Sequence, residues 1–268
     1  MAKEFQIIVC IKQVPDPRYL SKITIDPITK TIRRENIPAV MNPLDKNALE
    51  EAIRIREQFG GKVITISMGP PQAERVCRDA LAMGVDEAIL LCDRILAGSD
   101  TLATAYALSL AIKKLGNFDI VFCGNETVDG STAQVPPQLA EFLKVPHVTR
   151  VRKIMSIDGN EMVVERTIEY GYMKVKVKLP AVIAVTKEIN EPRLPTVSAI
   201  LKCYKKGIIK WTASDIGASP RSVGLEGSPT KVTDVFSPEV KRKREIFEGP
   251  VDKEVEWLIE KLHESGII

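Results

Sequence analysis

The sequence has no C-x-x-C pair, only two histidines and no apolar run of membrane-spanning length. Its five cysteines, at positions 10, 77, 92, 123 and 203, are too scattered for an iron–sulfur cluster or a structural zinc held within this chain. Their odd number and wide spacing fit a reducing cytoplasm. His147 and His263 stand apart and read as structural or solvated residues rather than ligands. A bilayer span needs about 20 consecutive apolar residues, so no direct membrane span is expected, and any membrane association would come through partners. Met1-Ala2-Lys3-Glu4-Phe5 runs straight into a strand and does not read as a signal peptide. The net charge is only +3, from 38 basic and 35 acidic residues, so nothing demands nucleic acid or a lipid surface. The short basic run Lys241-Arg242-Lys243-Arg244 is followed at once by Glu245 and lacks interleaved aromatics, which marks a solvated or partner-facing patch.

Several catalytic signatures are missing too. No G-x-G-x-x-G follows the first strand, and there is no Walker A sequence, no G-x-S-x-G elbow, no H-E-x-x-H and no phosphate loop of the ATP-pyrophosphatase kind. Side-chain acid–base catalysis is poorly supplied, so any chemistry belongs to a bound cofactor.

What is present is alternation. Phe5–Ile11, Lys62–Ser67, Glu87–Cys92 and Asp119–Cys123 read as buried strands. Helical patterns separate them, from Asn42 to about Phe59, from Gly69-Pro70-Pro71 to about Gly84, and over Asp100–Leu115. Asn42 suits an N-cap and Pro43 the first helical position. This order predicts an α/β fold, a doubly wound and mostly parallel sheet. After Pro146 the rhythm changes. Val151–Ser156 and Met162–Glu169 flank Asp158-Gly159-Asn160, a hairpin signal, and Ile23–Arg34 suggests another, so antiparallel additions are expected. Trp211–Pro238 has little periodicity and reads as an extended arm needing a partner surface, with an amphipathic helix over Asp252–His263 beyond it.

The most informative run is Ile120-Val121-Phe122-Cys123-Gly124-Asn125-Glu126-Thr127-Val128-Asp129-Gly130-Ser131-Thr132-Ala133-Gln134, leading through Val135 into a helix. A buried strand ends at a glycine, a polar loop follows, and free N–H groups at the helix start favour an anion. Gly130 permits close approach or a positive φ. Ser131, Thr132 and Gln134 can bond phosphate or ribose, and Asp129 can orient the loop. Cys10-Ile11-Lys12-Gln13, Asn42-Pro43-Leu44-Asp45 and Met68-Gly69-Pro70 are further strand exits or helix starts that can face the same crevice. Each alone reads as an ordinary turn or cap; their convergence points to an adenine-nucleotide site.

Leu179-Pro180-Ala181-Val182, Asn190-Glu191-Pro192-Arg193, Val164-Glu165-Arg166 and Tyr170-Gly171 resemble the signature of the β subunit of electron-transfer flavoproteins. Val9 to Asp16, Met41-Asn42-Pro43, Gly69-Pro70 and Ala80-Leu81-Ala82-Met83-Gly84 extend the resemblance over nearly the whole chain. The resemblance implies a heterodimer with an FAD-carrying α subunit. It also implies an adenine-nucleotide site falling on Cys10, Asn42 to Asp45, Met68 and Gly124 to Val135. It implies three parts: a Rossmann-like nucleotide-binding domain at 1–190, a partner recognition loop and helix at 191–210, and an arm at 211–268 packing on the α subunit. Leu194, Pro195, Val197 and Ile200 would dock an acyl-CoA dehydrogenase or a quinone-linked flavoprotein. One branch of the family holds structural AMP here. The other holds a second FAD that accepts hydride from NADH and splits the electron pair between the α-subunit FAD and a ferredoxin or flavodoxin. The loop Val128–Val135 resembles the second, bifurcating branch, although Pro136-Pro137 stands where that branch has Gly-Pro.

Overall fold

The computed structural model describes residues 4–22, 24–25, 32–33, 37–233 and 244–268. In β1 (Phe5–Ile11), Phe5, Ile7, Val9 and Ile11 enter one apolar layer, while Ile8 and Cys10 enter the other. A strand covered on both faces needs apolar residues at both parities, which is why it shows no polar alternation. The chain continues through β2 (Gln13–Pro15), β3 (Thr24–Ile25), β4 (Ile32–Arg33) and β5 (Ala39–Met41) to α1 (Pro43–Phe59). The expected hairpin appears as the antiparallel pair β3–β4, its other residues lying outside those described. Then come β6 (Gly61–Met68), α2 (Glu74–Met83), β7 (Glu87–Leu91), α3 (Thr101–Leu115), β8 (Ile120–Gly124) and α4 (Val135–Leu143). The second half adds β9 (His147–Asp158), β10 (Glu161–Ile168), β11 (Gly171–Lys178), β12 (Ala181–Val185), α5 (Val197–Cys203), β13 (Ile209–Trp211) and α6 (Val251–Glu264).

Among the described residues, nine strands form one sheet in the order β11-β10-β9-β12-β8-β1-β6-β7-β13. Only the β9–β10 and β10–β11 pairings are antiparallel. The fold is therefore the expected doubly wound α/β sheet with an antiparallel addition. Helices α1 and α2 cover one face through Leu49, Ile53, Val76 and Ala80. Helices α3 and α4 cover the other through Leu108, Ile112, Leu139 and Ala140. From β1 the chain runs outward to β6 and β7, then returns to β8 on the opposite side of β1. The order reverses there, and the loops leaving β1 and β8 part to open a crevice.

The stretch from Trp211, expected as an arm, is partly ordered on this chain itself. Strand β13 extends the sheet beside β7, and Ala213, Ile216 and Val223 are buried in the layer under α3. These apolar residues are spaced for a winding loop, so no helical or strand period shows in the sequence. The described residues divide into two units at residues 233/234. In the second, α6 spans two residues more than the expected Asp252–His263, and Phe247 stacks on Trp257 with ring centroids 5.6 Å apart. Of the basic run 241–244, only Arg244 lies within the described residues. No described helix is long and apolar enough to cross a membrane.

Candidate functional site

A cleft of about 910 Å³ opens at the C-terminal rim of the sheet, over the crevice between β1 and β8. Cys10 and Cys123 lie at the ends of those strands and line it, together with Lys12, Asp45, Met68, residues 124–127, Gly130 and residues 132–136. Strand exits, helix starts and the loop after β8 thus meet at one place.

Asp45, in the first turn of α1, ties them together. Its carboxylate accepts from the backbone N–H of Lys12 at 2.8 Å and of Gly124 at 3.1 Å, so it clasps the exits of β1 and β8 at once. Asn42 Nδ2 adds a third donor at 3.0 Å. Burial pushes the Asp45 carboxyl up to about 7, against the pull of those donors. Gly124 leaves room for this clasp: a Cβ there would run into Asp45 Oδ1 and would lie 2.8 Å from Leu44 Cβ.

Asn42 stands at the N-cap position, but its side chain does not cap the helix. Its Nδ2 donates to Glu126 O at 2.9 Å and its Oδ1 accepts from Val128 N at 3.2 Å, so it braces the loop after β8. Asn125 closes the other side, donating its N–H to Val185 O and accepting the Arg150 N–H on Oδ1. Lys12 Nζ reaches both oxygens of Asp129 at 2.8 Å. Burial works to raise Asp129, but the Lys12 bond and charge outweigh it and hold the carboxyl below its usual range. Asn42, Pro43, Leu44, Val128, Asp129 and Ser131 do not line the cleft; the bonds of Asn42 and Asp129 fix the segments that do.

The positive φ values fall beside Gly130 rather than on it, at Ser131 (47°) and Ala133 (54°). Gln134 follows Ala133 in the right-handed region. A left-handed residue before a right-handed one turns successive N–H groups toward one side, a concavity suited to an anion. The backbone N–H groups of Thr132, Ala133, Gln134 and Val135 have no protein acceptor. Helix α4 offers fewer donors than expected, because Pro136 and Pro137 in its first turn have no N–H. The loop supplies them instead. A Cβ at Gly130 would meet only Thr127 Oγ1, at 3.4 Å. The fold does not demand glycine there, and the space beside it belongs to the cleft.

One wall was not anticipated from the sequence. Cys92, Asp93, Arg94 and residues 96–101, with Thr104 and Leu108 of α3, line the side beyond Met68. The signal was the same as elsewhere: Cys92-Asp93 leaves β7, and Asp100 caps α3 by accepting from Ala103 N. Thr101 Oγ1 bonds Gln134 Oε1 at 3.0 Å, joining this wall to the loop before α4.

The expected docking residues lie elsewhere. Leu194 is 90% and Val197 76% exposed, with Ile200, Leu201 and Tyr204 also on the surface and Pro195 half-buried. Asn190 and Arg193 root this segment on α1. Asn47 and Asn190 exchange bonds, Nδ2 to backbone oxygen in each direction, at 2.8 and 3.0 Å.

The family described as Electron transfer flavoprotein domain matches residues 29–216. Over 263 residues, 98% of this chain and 99% of the other, the sequence is 52% identical to the electron transfer flavoprotein subunit beta of Thermoanaerobacterium thermosaccharolyticum. The chain belongs to the electron transfer flavoprotein family, with its β subunits. It is 44% identical to the caffeyl-CoA reductase–Etf complex subunit CarD of Acetobacterium woodii, over 98% of this chain and all of that protein. It is 42% identical to the protein FixA of Bradyrhizobium diazoefficiens, over 94% and 89% of the two chains. The family assignment places the chain in electron transfer. The structure adds a cleft with no metal-ligand cluster among the described residues, built from backbone donors and clasped strand ends.

Proposed function

We propose that this chain is the β subunit of an electron-bifurcating flavoprotein, pairing with an FAD-bearing α subunit and holding an FAD of its own in the rim cleft. The observation that carries the reading is the extent of the cleft. At about 910 Å³ it runs from the unpartnered N–H groups of Thr132–Val135, past Cys10 and Met68, to the wall at 92–104. Small-molecule sites span roughly 300–1,000 Å³, and a mononucleotide would leave much of this one unfilled.

The residues fit a flavin dinucleotide. The N–H groups of Thr132 to Val135 would hold the diphosphate, with Gly130 leaving room beside it. Backbone at Cys10 and Met68 would meet the adenosine. Asp45 and Asn42 hold the strand exits and the 126–128 loop in place, so the donors are set before the ligand arrives. When bound, FAD supplies hydride acceptance from NADH and single-electron transfer toward the α-subunit FAD and toward a ferredoxin or flavodoxin. The chain's own part is to position, to donate hydrogen bonds and to exclude water. The exposed Leu194–Val197 segment would dock the high-potential acceptor, an acyl-CoA dehydrogenase or a quinone-linked flavoprotein.

The rival within the family is a β subunit with structural AMP, whose single phosphate the same N–H groups could hold. Counting flavin and adenine nucleotide in the copurified αβ pair decides between them. Two FAD per pair is the expected result; one FAD and one AMP overturns the bifurcating assignment.

A further inference from the structure

Cys10 and Cys123 are side by side at the floor of the cleft. They are register partners on the parallel strands β1 and β8, so their Cα atoms are one strand spacing apart, about 4.8 Å. That lies within the range of about 4.4–6.8 Å that a disulfide spans. Both side chains enter the same apolar layer, under α3 and α4, and both line the cleft. Both are free thiols. Hydrogen bonding with the Cys10 thiol, then burial, push the Cys123 thiol well above its usual range, as expected for two thiols facing one another. The other cysteines do not join this pair. Cys77 and Cys203 belong to the opposite layer. Cys92 lines the cleft but leaves β7, two strand spacings from Cys10, about 10 Å away.

We propose that Cys10 and Cys123 form an oxidisable dithiol, closed to a disulfide by a peroxide-class oxidant, and that this closure shuts the nucleotide site. The Cys10 sulfur, as thiolate, attacks a peroxide oxygen, because the Cys123 thiol is held protonated; the O–O bond breaks and water leaves, giving a sulfenic acid on Cys10. The second sulfur then displaces that hydroxyl as water and the S–S bond forms. Two thiols lose two electrons and two protons, and one hydrogen peroxide becomes two waters. The strand spacing suits the Cα atoms, but the bridge must draw the two Cβ atoms from about 4.8 Å to about 3.8 Å, and that strain falls at the ends of β1 and β8, directly before the Lys12 and Gly124 N–H groups that Asp45 clasps. Gly124 begins the loop that carries the N–H donors, so the distortion lands on the ligand site. A bound nucleotide would lie over both sulfurs and shield them. The effect on ligand binding rests on the nucleotide reading of the cleft; the thiol chemistry does not.

The copurified complex, treated with hydrogen peroxide and then alkylated, tests this by non-reducing peptide mapping. The expected product is a Cys10–Cys123 linked peptide, two hydrogens lighter than the separate thiols and formed more slowly with AMP or FAD in excess. Phenylarsine oxide, which bridges paired thiols, should bind the reduced protein tightly and lose that hold in Cys10→Ser. Affinity for AMP and FAD should fall at least about tenfold on oxidation and return with dithiothreitol. Alkylation of both cysteines after peroxide, with no linked peptide, overturns the proposal. So does a linked peptide whose formation leaves both affinities unchanged. Failure of the reduced protein to bind either nucleotide overturns instead the nucleotide reading of the cleft.

Discussion

Arg193 grips Glu50 by three bonds. Its Nε and one terminal nitrogen reach the two carboxylate oxygens at 2.8 and 3.1 Å, and its backbone N–H adds a third contact at 3.1 Å. The same guanidinium holds Glu57 at 2.6 and 2.9 Å. Glu50 is buried on α1, the helix whose first turn carries Asp45. One helix therefore braces the cleft at its start and roots the exposed 194–203 segment farther along.

Arg193→Gln should destabilise the chain by about 1–3 kcal/mol. The figure sits at the low end for a broken buried pair because Arg193 is 34% exposed and Glu50 keeps Arg54 at 2.7 Å. Burial works to raise Glu50, but its bonds to Arg193 and Arg54 outweigh that and hold it below the usual range. A carboxyl depressed in the fold contributes stability above its unfolded pKa and loses it as pH falls through the folded value. The gap between the native protein and the variant should therefore narrow below about pH 4.5. Urea midpoints at several pH values measure this, and a gap that widens in acid would contradict it. Glu57→Gln, at a half-exposed partner, should cost no more than about 1 kcal/mol.

Asp45 has the opposite sign. Its folded pKa of about 7 lies above the ordinary value of 3.8. The native state thus holds a proton that the unfolded chain has lost, and this contribution fades as pH rises from about 4 to 7. The shift corresponds to at most about 4 kcal/mol. Asp45→Asn removes the titration and leaves one oxygen to serve the Lys12 and Gly124 N–H groups. Its stability should vary less between pH 4 and 7 than that of the native protein, and be lower at pH 7.5. Parallel pH profiles for the two would show that Asp45 does not titrate there.

Much of this arrangement was legible in the sequence because parallel strands and their exits are local signals. The apolar runs located β1, β6, β7 and β8 to within a residue, and the exits of β1, β6 and β8 marked candidates for the rim. Three things were hidden. The division of labour at Asn42 depends on a contact across 84 positions, so a residue with the look of a cap became a loop brace. The 92–104 wall carries Gly98, Ser99, Thr101 and Thr104, but Asp100 among them reads as an ordinary helix cap and Cys92-Asp93 as an ordinary turn. Residues 213–223 pack by irregular spacing that no periodicity reports.

Two glycines in the candidate site separate folding from binding. Gly124→Ala puts a methyl into Asp45 and Leu44, and overpacking of this kind costs about 1–3 kcal/mol. Gly130→Val meets only Thr127 at the Cβ, so melting should change little while its branched side chain fills the space beside the Thr132–Val135 donors. Thermal melts and flavin content of the copurified pair give the two readouts. Full flavin retention by Gly130→Val would remove this loop from the site.

Val197 tests the docking surface. It is 76% exposed at the start of α5, and its neighbour Thr196 caps that helix by accepting from Ala199 N at 3.2 Å. An aspartate at 197 sits in the first helical turn, where negative charge is tolerated or mildly favourable, so the segment should keep its fold. If an apolar partner surface rests here, a desolvated charge costs that interface about 2 kcal/mol or more. Val197→Asp should then raise the KM for the protein acceptor severalfold at least, while NADH oxidation with an artificial dye keeps its rate. A parallel loss of both activities would instead trace the defect to the flavin site or the fold, and the 194–203 segment would lose its assignment as the place where electrons leave the complex.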